Sequence, residues 1–126
     1  MCWTKATLNV RLESALADCD AALRLAPANA PTLDTRGFAH LRLGQYDAAI
    51  ADYDAALKLR PEQAASLYGR GVAKIRKGLP DAAADLAAAR KANARVEAEF
   101  KAYGVEAVPA PTVSTGQLRA PTPGAM

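Results

Sequence analysis

The feature that most constrains this chain is a segment that occurs twice. Residues 15–27 are "ALADCDAALRLAP" and residues 49–61 are "AIADYDAALKLRP", and the two segments agree at nine of thirteen positions. They lie 34 residues apart, and Gly37 and Gly71 have the same spacing. A fixed period of this size indicates a solenoid of stacked helix pairs, in which each pair buries its apolar face against a neighbour.

The composition supports helices throughout. Hydrophobic residues make up 51% of the 126 residues and aromatic ones only 6%. The apolar share is mostly alanine and leucine, which are strong helix formers. The sequence therefore predicts an all-α protein, an α-α superhelix built from about three helix-turn-helix repeats.

A second match sets the helix boundaries. The segment "LDTRGFAHLRLG" at 33–44 recurs as "LYGRGVAKIRKG" at 67–78. Gly44 and Gly78 stand where a left-handed C-cap would end the first helix of each unit. Pro61 ends a second helix, because proline cannot donate a hydrogen bond to the preceding turn.

With these boundaries the sequence resembles the tetratricopeptide repeat family, whose unit carries small residues, a large apolar residue and a proline at set positions. In this chain those positions hold Gly37, Ala49, Tyr53 and Pro61, and Gly71 repeats the glycine. The small residues let antiparallel helices approach closely, and Tyr53 fills the space beside them. The resemblance implies an array over residues 1–105, with repeats at about 1–29 (truncated), 30–63 and 64–94.

The last repeat and the C-terminal region depart from the pattern. A one-residue deletion in the last unit aligns Leu86 with Tyr53. Val96, Phe100 and Tyr103 then fall on one face of a helix, which we expect to cap the array over 95–104. The whole closing stretch from Leu67 to Val105 is similar to the end of many bacterial tetratricopeptide proteins. Residues 106–126 are rich in proline, threonine and alanine and are predicted to be disordered.

No arrangement of residues indicates catalysis, a metal site or a cofactor, so the sequence does not predict an enzyme. There is no aspartic-protease triplet, Gly-rich phosphate loop or HExxH motif. The single histidine, His40, stands in a packing position of the repeat. The acidic residues follow the period: we expect Asp18 and Asp52 to bond the neighbouring repeat and Asp20 and Asp54 to be solvated.

Charge and hydropathy do not point to nucleic acid or to a membrane. The net charge is +3, from 16 basic and 13 acidic side chains. No apolar run is long enough to cross a bilayer, and the first residues lack the features of a signal peptide. Nucleic-acid binding remains a third, weaker interpretation, which predicts that affinity falls steeply with salt.

The two cysteines leave alternatives open. By repeat phase, Cys2 and Cys19 lie on the two helices of the first hairpin and point inward at matching heights. They could be free buried thiols, a structural disulfide, or a redox or metal pair. Trp3 occupies the slot of the packing glycine, where it either separates the helices or covers the exposed end.

The resemblance implies a concave groove formed by the first helices of the repeats. Its predicted residues are Asp34, Thr35, Phe38, Leu41, Arg42, Tyr68, Val72, Ile75 and Arg76. The apolar members would hold an apolar partner segment, and the arginines its carboxylates. Alternatively, missing N-terminal repeats or the capping helix cover these residues. Some family members clamp chaperone tails with lysine, asparagine and arginine at set groove sites. Those sites hold Asp34, Thr35, Phe38, Tyr68, Gly69 and Val72 here, so chaperone-tail binding is not predicted.

The resulting prediction is a non-catalytic module that binds a protein or peptide, as a scaffold or adaptor. Three repeats are about the minimum for a stable array, so self-association and further upstream repeats are both compatible with the sequence. The alternative is the C-terminal helper segment of a longer exported protein with an upstream catalytic domain, for example an aspartic protease. The compartment stays open between the cytoplasm and, for an exported protein, the periplasm.

Overall fold

A computed structural model describes residues 12–106 of the chain. In this range the chain forms six α-helices and no strand, which confirms the predicted all-α solenoid. The helices are α1 (Leu12–Leu25), α2 (Ala30–Arg42), α3 (Tyr46–Leu59), α4 (Ala64–Lys77), α5 (Ala82–Ala92) and α6 (Val96–Ala102). Cys2, Trp3 and nearly all of the predicted disordered tail lie outside the described residues.

Each helix packs against the next one along the chain from α1 to α5. The first helices of the two complete hairpins, α2 and α4, also contact each other, and α6 packs on α4 and α5. None of the helices between residues 12 and 106 combines the length and apolar character needed to span a bilayer.

The helix ends follow from local chemistry. Asn29 caps α2, because its Oδ1 accepts a hydrogen bond from the Thr32 backbone nitrogen at 3.0 Å. Gly44 and Gly78 have φ angles of 78° and 77°, which confirms the predicted left-handed residues after α2 and α4. At the second of these ends, the Leu79 nitrogen donates to the Lys74 carbonyl at 2.8 Å and satisfies a carbonyl that the helix leaves open.

The core is organised around Tyr53, which is fully buried on α3. Its ring lies between two glycines, Gly37 on α2 and Gly69 on α4: a Cβ atom added to Gly37 would stand 3.0 Å from the ring, and one added to Gly69 would overlap it. In the next hairpin Leu86 has the corresponding place, 2.8 Å from a Cβ atom added to Gly71. The predicted deletion that aligns Leu86 with Tyr53 therefore matches the packing.

Two arginine networks join the helices, and they correct the expectation for the acidic residues. Arg36 donates from Nε and Nη2 to the two oxygens of Asp52 in its own hairpin, each at 2.8 Å, and from Nη1 to Asp20 on α1 at 2.7 Å. The prediction that Asp52 bonds the neighbouring repeat was therefore wrong. Asp20 is exposed, as expected, but it also forms an ion pair with the next repeat. Asp20 links neighbouring repeats because an arginine on each first helix reaches back to the preceding second helix.

The same network recurs one repeat later. Arg70 binds both oxygens of Asp85 at 2.9 and 2.8 Å and reaches back to Asp54 at 2.8 Å. Lys74 adds a second cation to Asp85 at 3.0 Å. The Asp54 side chain is likewise exposed, as expected, but it also bonds the next repeat. The repeated acids of the sequence stabilise the stacking of the repeats.

Candidate protein-binding groove

The predicted groove residues lie on α2 and α4, which are adjacent in the structure. The apolar ones are not open to solvent. Phe38, Leu41, Tyr68 and Val72 are all buried, and Ile75 is partly buried. Their role in binding a partner stays a prediction, because another part of the protein covers them.

The cover is the chain's own last helix, α6. The Phe100 ring stands edge-on to Phe38, with centroids 5.5 Å apart, and tilted against Tyr68 at 4.7 Å. The Tyr103 ring, just after the helix, lies 5.8 Å from that of Phe38. We call the space between Phe38 and Tyr68 the aromatic slot and residues 96–106 the C-terminal segment. The aromatic slot is thus filled by Phe100. This agrees with the alternative in which the capping helix covers the groove residues.

Two groove arginines hold the backbone of the C-terminal segment. Arg42 donates from Nη2 to the Tyr103 carbonyl, and Arg76 donates from Nη2 to the Glu106 carbonyl at 3.3 Å. The Arg42 guanidinium also lies 5.0 Å from the centre of the Phe38 ring, within the range of a cation–π contact. These two arginines therefore do contact a peptide segment, but one that belongs to the same chain.

Both arginines line a cavity beside the C-terminal segment. The cavity has a volume of about 300 Å³ and is lined by Leu41, Arg42, Leu43, Gly44, Tyr46, Arg76, Gly104 and Val105. In the part of the chain that the structure describes, the Nε atoms of Arg42 and Arg76 are buried without a hydrogen-bond partner. Burial lowers the pKa of Arg42, since it disfavours a charged guanidinium.

Two other predicted groove residues are engaged inside the fold. Asp34 accepts a hydrogen bond from Ser66 Oγ at 2.8 Å, and Ser66 Oγ in turn accepts one from Gln63 Nε2 at 2.7 Å. Burial raises the pKa of Asp34 to about 6, although the Ser66 bond works in the opposite direction. Thr35 donates to the Pro31 carbonyl of its own helix at 2.8 Å. Neither side chain therefore offers its polar atoms freely to a ligand.

The single histidine belongs to the packing between helices. His40 Nδ1 lies 2.7 Å from Gln45 Oε1, and its Nε2 lies 3.6 Å from Asp52 Oδ2. Within residues 12–106 no group of three or more histidine, cysteine, aspartate or glutamate side chains could hold a metal ion.

Cys19 is fully buried on α1 and forms half of a disulfide. Cys2 lies outside the described residues, so the pairing of Cys2 with Cys19 stays a prediction.

Sequence reasoning missed where two side-chain contacts form, those of Phe100 and Gly69. It identified Phe100 as part of a capping face, but the spacing of residues on α6 does not tell which helix that face meets. It placed Gly69 among the groove sites that clamp chaperone tails in other family members, whereas the structure shows Gly69 in close contact with Tyr53. The sequence signal for Phe100 was the helical spacing of three large residues after the last repeat, Val96, Phe100 and Tyr103.

Residues 37–78, from the middle of α2 to the end of α4, match the family model described as TPR repeat, the abbreviation for tetratricopeptide repeat. No curated protein matches the chain.

Proposed function

We propose that this chain, whose residues 37–78 match the tetratricopeptide repeat model, is a non-catalytic scaffold or adaptor whose groove binds an amphipathic helix of a partner protein. The observation that carries the proposal is the insertion of Phe100 into the aromatic slot of α2 and α4. A short helix with an aromatic anchor is thereby seen to fit this groove. Helix-in-groove recognition commonly uses such anchors, and aromatic residues often dominate its affinity.

The C-terminal segment occupies the groove in the place of a partner helix, and we infer that a partner can displace it. Helix α6 has only seven residues, which is too short to be stable without packing. Its ring contacts to the groove are made by Phe100 and by Tyr103, which is 37% exposed, while Val96 and Val105 are buried in the core beside them. Because the segment is tethered, its effective concentration is on the order of millimolar. A partner helix must therefore bind more tightly than the segment does.

The test uses the full chain and a labelled peptide with the sequence of residues 95–106, "RVEAEFKAYGVE". We expect weak binding to the wild-type chain, because its own segment competes. The variant Phe100→Ala weakens that segment and should bind the peptide about tenfold more tightly, measured by fluorescence anisotropy. Circular dichroism checks that the variant keeps its helices.

A matched peptide controls for non-specific binding. It carries alanine in the position of Phe100 and should not bind either chain, because it has no anchor for the aromatic slot. If the original peptide binds neither chain while both remain helical, α6 is only a structural cap and the proposal is wrong.

A second candidate function is that of a helper segment in a longer exported protein with an upstream catalytic domain. The observation that favours it is Cys19, which forms half of a disulfide, because disulfides persist mainly in oxidising compartments. Thiol titration of the native oxidised protein tests this point. Two titratable thiols would remove the observation, and none would support it.

A further inference from the structure

The two arginines that hold the C-terminal segment differ from the other arginines of α2 and α4. Arg36 and Arg70 each bind two carboxylates. Arg42 and Arg76 are likewise one repeat apart, but within the described range neither forms an ion pair, and their acceptors are neutral carbonyls. The groove therefore contains two positive charges that no described side chain neutralises.

These arginines are also incompletely bonded. Each has a buried Nε atom without a partner, and an unsatisfied buried donor costs free energy. Hydrogen bonds from a guanidinium to a carboxylate are roughly twice as strong as those between neutral groups. A ligand carboxylate in place of these carbonyls would bind the guanidinium groups more strongly and give the unsatisfied donors an acceptor.

The surroundings leave room for such a group. The cavity of about 300 Å³ has Arg42 and Arg76 in its wall, together with Tyr46 and the backbone around Gly104. The acceptor carbonyls belong to Tyr103 and Glu106, three and six residues after the anchor Phe100. The segment thus shows the spacing between an aromatic anchor and the two acceptors that a ligand of both arginines needs.

We propose that Arg42 and Arg76 form a carboxylate-binding site for the partner helix. This inference rests on the proposed function of the groove and names its ligand: a peptide with an aromatic anchor and a carboxylate three residues later, with a second acceptor six residues later. The carboxylate at the third residue takes the place of the Tyr103 carbonyl on Arg42. Arginine suits this site because its planar guanidinium binds both oxygens of a carboxylate.

Two nine-residue peptides test the site on the full-length Phe100→Ala chain. Both have the sequence of residues 95–103, "RVEAEFKAY", with an acetylated N-terminus. One ends in a free carboxylate and the other in an amide, so that they differ only in charge at the position of the Tyr103 carbonyl. We expect the free acid to bind about fivefold more tightly than the amide, because only the acid forms a charge-assisted bond with Arg42.

Two further variants in the same chain assign the effect to the site. Arg42→Gln should abolish the preference for the acid, whereas Arg60→Gln, at an exposed position after α3, should leave it unchanged. The preference should also shrink between about 50 and 500 mM salt, since screening weakens charge pairs. Circular dichroism confirms that the variants remain helical.

The outcomes separate the two proposals. Equal binding of acid and amide, or a preference that survives Arg42→Gln, overturns the carboxylate site and leaves the groove intact. Failure of both peptides to bind a helical chain overturns the groove itself.

Discussion

Tyr53 and Gly69 are in direct contact between two repeats: the phenol ring of Tyr53 on α3 occupies the space that a side chain at Gly69 on α4 would need. The opposite side of the ring meets Gly37 on α2. One side chain therefore sets how closely α4 approaches the preceding hairpin. Because Tyr68 is the neighbour of Gly69 on α4, the same contact also fixes one wall of the aromatic slot.

We expect Gly69→Ala to destabilise the protein by about 1–3 kcal/mol, the usual effect of overpacking a core. Helix propensity alone predicts the opposite, a gain of about 1 kcal/mol for alanine over glycine. Urea denaturation with the variant Gly69→Ala/Tyr53→Leu provides the control, because the smaller side chain should relieve the overlap and lower the cost of alanine. A Gly69→Ala variant as stable as the wild type would show that α4 moves away freely.

The Tyr53 hydroxyl gives a second prediction. It is buried and, among residues 12–106, has no hydrogen-bond partner, and burial raises its pKa well above the ordinary value. Tyr53→Phe removes a polar group that lost its water on folding, so we expect a gain in stability of about 1 kcal/mol. Tyr46→Phe, at a partly buried position on α3, serves as the comparison in urea denaturation. A loss of stability in Tyr53→Phe would show that the hydroxyl is bonded.

The repeat made much of this packing predictable. Close contacts between the helices of one hairpin recur at fixed positions, so a comparison of the chain with itself identifies Gly37, Gly71 and Tyr53. The left-handed turns at Gly44 and Gly78 are equally local, because glycine is favoured where φ is positive.

Contacts between repeats could not be predicted in the same way. The position equivalent to Gly69 in the preceding unit is Thr35, which bonds to its own helix, so periodicity gives no reason for a glycine there. Phe100 lies outside the repeat altogether. Amphipathic spacing shows that it is on the buried face of α6, but its contact with Phe38 depends on the path of the chain after α5.

The two carboxylates of Arg70 should differ widely in their contribution to stability. The Asp85 side chain is 9% exposed and that of Asp54 is 53% exposed. Asp85→Ala leaves Arg70 and Lys74 without their buried partner, so we expect a loss of about 3 kcal/mol, whereas Asp54→Ala should cost less than about 1 kcal/mol. Thermal and urea denaturation measure both. Equal losses would mean that the link between repeats matters as much as the bond within the hairpin.

Asp34 should make stability fall as the pH rises. Its pKa is raised by burial from the ordinary 3.8 to about 6, so the folded state holds a proton that the unfolded state has released between these values. The native state is therefore favoured below about pH 4, and this advantage is lost as the pH rises through about 6. The Asp34→Asn side chain stays neutral and can still accept the bond from Ser66.

The variant should then be more stable than the wild type by about 1–3 kcal/mol at pH 7 and equally stable near pH 4, since one unit of pKa shift corresponds to about 1.4 kcal/mol. Urea denaturation of both proteins between these pH values gives the difference in their free energies of unfolding. The contributions of all other carboxylates cancel in this difference. A difference that does not change with pH would show that Asp34 is solvated in the folded protein. A difference of the opposite sign would show that Ser66 and its surroundings stabilise the charged carboxylate.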